Sequence, residues 1–80
     1  MGNRVEEGIK NVMSAVFEIP KKQIQDDSSQ DTIESWDSLK HMNLVVGLEE
    51  EFDIHVSDEE SLEMLNFMLV TKIVESKIIL

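Results

Sequence analysis

The chain contains no cysteine. That excludes a disulfide framework, a thiolate nucleophile and a cysteine metal site, so any thiol chemistry it supports must be brought in. Cationic side chains are scarce: seven Lys and Arg stand against seventeen Asp and Glu, for a formal net charge of −10. Nucleic-acid binding depends on Lys and Arg neutralising phosphates, so this balance argues against it, and it argues equally against an anionic membrane surface. No run is long and apolar enough to span a bilayer. The N-terminus lacks the apolar core behind a basic region that marks a secretory signal. Met1-Gly2 opens a myristoylation pattern, but position six is Glu6 where that pattern requires Ser or Thr. A soluble, cytoplasmic protein with no membrane insertion is expected. Aromatics are limited to Phe17, Trp36, Phe52 and Phe67, whereas the five methionines supply adaptable core filler.

Eighty residues predict one domain over 1–80, burying a modest fraction of its surface and only marginally stable. The acidic surface has two readings, solubility alone or docking onto basic patches of partners, and composition does not choose between them.

Asn3 to Phe17 reads as the first helix, because Val5, Ile9, Val12, Met13 and Val16 recur on one face. Asn3 can cap it, with Glu6 three residues on in answer. Ile19-Pro20 stops it, since proline cannot donate and restricts the residue before it. Pro20 to Trp36 is a long connection that Ile24 and Ile33 can pin across the core, with one helical turn at Lys21–Ile24. The cluster Asp26, Asp27, Ser28, Ser29 and Asp31 suggests a calcium loop, but Asp31 stands where such a loop needs glycine and Asp37 where it needs Glu.

The stretch from Glu34 to Ile54 is the most informative. It reads as a polar loop turning into an amphipathic helix. Asp37 is a suitable N-cap, and Ser38 then starts the first turn at the positive end of the helix dipole. At 100° per residue, Met42, Val45, Val46, Leu48 and Phe52 form one broad apolar side with Leu44 at its edge; Lys40, Asn43, Gly47, Glu50 and Glu51 fall opposite. Trp36 sits before the cap, where it can act as a hydrophobic staple; the other reading makes it a contact beside whatever Ser38 carries. His41, three residues after Ser38, reads as a boundary histidine with one wet edge. A Ser–His pair without an orienting third group or oxyanion site is not a hydrolase, and Gly-x-Ser-x-Gly is absent. His55 has no neighbours at metal-ligand spacing, so no metal is expected. Glu49, Glu50 and Glu51 lie at the helix C-terminus, where each exposed negative charge costs about 0.3–1 kcal/mol, and that cost favours a role in partner recognition.

Asp53 to Val56 is expected to be short and extended, with Ile54 and Val56 buried to either side of His55. Ser57-Asp58-Glu59-Glu60 is a capping box opening a short third helix over 58–65. Asn66 can cap a fourth, Phe67 to Ile78, with Phe67, Val70, Val74 and Ile78 at helical spacing. The apolar run from Met64 to Val70 reads as core, with a wider pocket or an oligomer contact as alternatives. Ile79 and Leu80 close an apolar tail that packs back or frays. The fold class is therefore all-α: a small four-helix bundle, three longer helices plus one short, with a long loop between the first and second.

Asp37-Ser38-Leu39 followed by an amphipathic helix ending Leu48-Glu49-Glu50-Glu51-Phe52-Asp53-Ile54, in a short acidic chain, resembles the acyl carrier protein family over nearly its whole length. The resemblance implies that Ser38, with Asp37 and Leu39 beside it, is the attachment point for 4′-phosphopantetheine. It implies acyl groups held as thioesters on that arm, in fatty-acid-like or specialised lipid or polyketide synthesis. It implies carriage and no catalysis: a phosphopantetheinyl transferase supplies the base and the metal for attachment. Partners would be that transferase and acyl-transferring or condensing enzymes with basic docking patches, met by Leu39, Met42, Glu49 and Glu50 on a monomeric carrier. Two departures stand out. Many members carry Gly-x before Asp-Ser-Leu where this chain has Ser35-Trp36, which points towards specialised carriers. Many are also acidic five residues after the serine, where this chain has Asn43. A peptidyl or aminoacyl carrier, and an unmodified acidic helical interaction domain, are the rival readings.

Overall fold

The computed structural model describes residues 4–78. Four helices follow one another: α1 (Arg4–Phe17), α2 (Ser38–Phe52), α3 (Asp58–Glu63) and α4 (Phe67–Ile78), with a 3₁₀ turn at Lys21–Gln23. The expected caps at Asn3 and the tail at Ile79 and Leu80 lie outside the described residues, as does Met1-Gly2. The architecture is the expected all-α bundle of three longer helices and one short one.

Helix α1 buries Ile9, Met13 and Phe17 completely, at i, i+4, i+8, with Val5, Val12 and Val16 half-buried beside them. It ends on a left-handed residue, Glu18 (φ 58°), and Ile19 N–H then bonds back to Ser14 carbonyl at 3.3 Å, a Schellman-type closure.

Helix α2 crosses α1 closely. A Cβ built on Gly8 would stand 2.7 Å from Phe52 Cζ, and one on Gly47 would stand 2.8 Å from Val12 Cγ1. Gly47 therefore faces α1, not the outer side on which the wheel placed it. The apolar face is likewise rotated from the expected one. Leu44 and Leu48 are fully buried at its centre, whereas Met42 and Val46 point outward. The wheel counts apolar side chains wherever they occur, so an exposed apolar stripe pulls its predicted centre away from the core.

The long connection is tied down along its length. Ile24, Ile33 and Trp36 are buried, and Ser35 Oγ donates to Phe17 carbonyl at 2.9 Å, satisfying a free acceptor at the end of α1. The acidic stretch around Asp26 has a different use from the one its composition suggested. Asp26 and Ser28 carbonyls accept from Met68 and Phe67 N–H at 3.1 and 2.9 Å, and Ser29 bridges to Asn66. The loop thus satisfies the first turn of α4, while Asn66 Oδ1 takes Leu69 N–H at 2.8 Å. Among the described residues, no group of three or more His, Asp or Glu could hold a metal ion.

Helix α3 opens on the capping box expected of it, with Ser57 and Glu60 exchanging both bonds. It stops at Glu63, short of the expected Leu65. Its link to α4 is the Glu60–Lys77 ion pair at 2.8 Å. Between α2 and α3 the expectation holds in part: Val56 is buried and His55 exposed, but Ile54 is only half-buried and Asp53, expected to be extended, takes the left-handed turn that ends α2.

Candidate functional site

Asp37 is extended (φ −106°, ψ −174°), and its Oδ1 accepts from Lys40 N–H at 2.8 Å. That assigns the cap to Asp37. Ser38 is then the first helical residue, exposed, and among the described residues none takes its hydroxyl as a hydrogen-bond partner. A serine held at a helix start without a capping duty is free for chemistry at a site where backbone N–H groups favour an anion such as a phosphodiester.

Leu39 and Met42 stand beside it, 67 % and 66 % exposed, and Val46 continues the stripe at 51 %. Large apolar side chains in such a row are unusual on a surface unless they meet something. Lys40, the cation of this turn, is drawn back to Glu18 at the end of α1, 3.5 Å away. The upper face of α2 is thus neutral and apolar, and its charge lies at the far end. There the glutamates differ. Glu50 and Glu51 are exposed, whereas Glu49 is partly covered and its Oε2 accepts from Val56 N–H at 2.8 Å, with His55 Nδ1 3.4 Å away. Glu49 thus fastens the connector that follows α2, a contact its neighbours do not make.

An open cleft of about 240 Å³ adjoins Ser38, walled by His41, Ser61 and Met64 with Leu62 and Leu65 on its rim. A second of about 170 Å³ lies between α2 and α3, lined by Met42, Val45, Val46 and Val56, and it shares Ser61 with the first. A larger cleft of about 520 Å³ lies under the long loop, among Phe17, Ile19 and Ile33, and does not include Ser38.

Trp36 and His41 are joined. Trp36 is buried, stacks on Phe17 with ring centroids 5.0 Å apart and lies edge to edge with His41, its centroid 6.1 Å away and the rings nearly coplanar at 16°. These are the positions before the cap and four into the helix, the pair a hydrophobic staple uses, so the staple reading of Trp36 holds with a hydrogen bond added. Trp36 Nε1–H donates to His41 Nδ1 at 2.9 Å, and His41 Nε2 faces Ser61 carbonyl at 2.8 Å. An accepting Nδ1 requires the proton on Nε2, which then donates. Both nitrogens are taken by the protein, so His41 is not available as a base for Ser38, although the ring is half-buried and borders the open cleft, the boundary position expected of it.

In α3, Glu60 has its carboxyl pKa lowered from 4.5 to about 2, first by the hydrogen bond from Lys77 and then by that from Ser57 N–H.

No model of a known protein family matches the chain. Curated relatives do. The acyl carrier protein of Buchnera aphidicola subsp. Schizaphis graminum is 41% identical over 64 residues, covering 80% of both chains. That of Buchnera aphidicola subsp. Acyrthosiphon pisum (strain Tuc7) is 40% identical over 57 residues, covering 71% of both. Among solved structures, holo acyl carrier protein from Geobacter metallireducens superposes with a TM-score of 0.83 at 27% identity, over 94% of this chain and 86% of that one. The relatives are carriers, not catalysts. With their identity extending over most of the length and the four-helix fold shared, the chain belongs to the acyl carrier protein family.

Proposed function

We propose that residues 1–80 form one carrier domain that holds acyl groups on a 4′-phosphopantetheine arm attached at Ser38. The observation that carries this reading is the division of labour at the start of α2: Asp37 does the capping, which leaves the Ser38 hydroxyl exposed at the mouth of a cleft, with no partner among the described residues. The residues present fit the group. A serine Oγ can form the phosphodiester, and the N-terminal N–H groups of α2 face the charge it would bear. When bound, the arm supplies a thiol that this cysteine-free chain lacks, and acyl groups ride on it as thioesters.

The chain's own residues position and present. Asp37 fixes the turn that holds Ser38 outward. Leu39 and Met42 offer apolar contact to an incoming enzyme, and Glu50, with the oxygen of Glu49 not bound to Val56, offers charge to a basic patch. Partners of that chemistry are a phosphopantetheinyl transferase and acyl-transferring or condensing enzymes in fatty-acid-like or specialised lipid or polyketide synthesis. The setting is the cytoplasm; no helix of the described residues is long and apolar enough to cross a membrane. Each partner must let go after its step, so small, weak interfaces on a monomeric carrier suit the task. Tethering raises the cargo's effective concentration at each docked enzyme. Each cargo methylene buried in the clefts gains about 0.8 kcal/mol.

The test uses an acyl-coenzyme A as donor with a broad-specificity phosphopantetheinyl transferase. The expected product carries the acylated arm, and hydroxylamine removes the acyl group while leaving the arm in place. An acyl group that resists hydroxylamine, or that appears equally on Ser38→Ala, would overturn the reading.

A further inference from the structure

Helix α3 is held in an unusual way. None of its six residues, Asp58–Glu63, is buried. It lies between the two clefts beside α2, and Ser61 borders both. Apolar burial resumes only at Met64, just past its end. What fixes α3 is polar: its own capping box, the Glu60–Lys77 pair towards α4, and towards α2 the His41 Nε2–H bond to Ser61 carbonyl. His41 is itself held from the other side. Trp36, clamped on Phe17 in the core, donates to His41 Nδ1 edge to edge, with the two rings at an interplanar angle of 16°. One imidazole therefore connects the loop before Ser38, the helix bearing Ser38 and the short helix over the clefts.

We propose that His41 is a positioning residue, a latch that holds α3 against the serine end of α2 and sets how readily the cleft beside Ser38 opens to cargo. The latch follows from the geometry of the unmodified chain; its consequence for cargo rests on the carrier reading. A helix with a buried face resists opening by its apolar contacts, and no residue of Asp58–Glu63 is buried, so loss of one of its polar ties changes its opening directly. When α3 moves outward from His41, carrying Ser61 with it, the two clefts it separates join. The choice of histidine over a plain donor also has a reason. A rigid ring presents an acceptor and a donor on opposite edges, so anchoring on Trp36 aims Nε2 at Ser61 and fixes the tautomer.

Two replacements separate the two bonds. In His41→Gln the amide nitrogen reaches the place of Nε2 and can donate to Ser61 carbonyl. In His41→Asn the shorter amide reaches the place of Nδ1, keeping the Trp36 bond and losing Ser61. The first readout is amide exchange by NMR on the full unmodified chain. Amides of residues 61–64 should exchange at least fivefold faster in His41→Asn and His41→Ala than in the parent, stay within twofold in His41→Gln, and leave α1 unchanged in all three. The second is hydroxylamine release of a medium-chain acyl group from the loaded protein, expected to rise at least threefold in the same two variants and not in His41→Gln. Equal exchange in all three variants and the parent, or a rise spread evenly through α1 and α4, would overturn the latch. Faster exchange with unchanged acyl release would overturn its link to cargo. If the transferase loads nothing, the carrier reading fails while the exchange comparison still decides the latch.

Discussion

Glu49 and Glu50 are adjacent acids on one helix, yet the structure predicts opposite effects when each is removed. Glu49 Oε2 accepts from Val56 N–H at 2.8 Å, and Val56 is only 6 % exposed. Truncating Glu49 to Ala leaves that donor without its partner in a largely buried place. A hydrogen bond to a charged group contributes about 1.5–3 kcal/mol, and an abandoned buried donor costs a similar amount. Against this stands the relief of one negative charge near the C-terminus of α2, about 0.3–1 kcal/mol. Glu49→Ala should therefore lose about 1–2 kcal/mol. In a domain of this size that corresponds to a fall in Tm of about 4–16 °C. Glu50→Ala removes the same charge from an exposed site with no such bond, and should leave stability unchanged or raise it by up to about 1 kcal/mol. Glu49→Gln keeps an acceptor and should fall between them. Urea unfolding followed by far-UV circular dichroism measures all three. If Glu49→Ala and Glu50→Ala unfold at the same urea concentration, Glu49 does not hold the connector and the reasoning fails.

Three further outcomes follow from the helix ends and crossings. Asp53 ends α2 in the left-handed region at φ 54°, so Asp53→Gly should gain about 1 kcal/mol from relieved strain and lost charge, offset in part by glycine's greater freedom when unfolded; an equal gain in Asp53→Ala, which keeps the strain, would count against this. Gly8→Ala should lose about 1 kcal/mol despite its better helix propensity, because its Cβ meets Phe52 Cζ at 2.7 Å; the loss should shrink or reverse when Phe52→Leu shortens the opposing side chain, and a loss that persists there would refute the crossing. The low carboxyl pKa of Glu60 means that its tie to Lys77 and Ser57 is complete above the ordinary value of 4.5 and is lost as pH falls towards about 2. Unfolding measured across that window should show the parent losing its advantage over Glu60→Gln as acid is added, and parallel curves would contradict the assignment.

Local signals in the sequence are reliable at three places among the described residues where one position answers another nearby. Asp37 capping Lys40, Ser57 paired with Glu60, and Pro20 after the end of α1 are contacts within a few positions, and each is present. The helix count and the isoleucines pinning the loop follow from the same short-range logic. Features that depend on how helices cross are different. Gly47 has no side chain to count, so its close approach to Val12 was invisible, and the outward stripe of Leu39, Met42 and Val46 displaced the predicted core face. The Glu49–Val56 bond needs the path of the connector, and the docking of Asp26 and Ser28 onto α4 needs the loop to span the bundle. At the site, Ser38 could be read from Asp37 and the helix behind it. The Trp36–His41–Ser61 connection could not be read fully, because its third member lies twenty residues on from His41, in α3.

We propose that Ser38 carries a phosphopantetheine arm. Intact mass spectrometry before and after incubation with coenzyme A, magnesium and a broad-specificity phosphopantetheinyl transferase tests it most directly, with Ser38→Ala alongside. One added phosphopantetheine is expected, mapped to the peptide containing Ser38 and absent from the Ala variant. No added mass on a folded sample, or the same addition on Ser38→Ala, would contradict it.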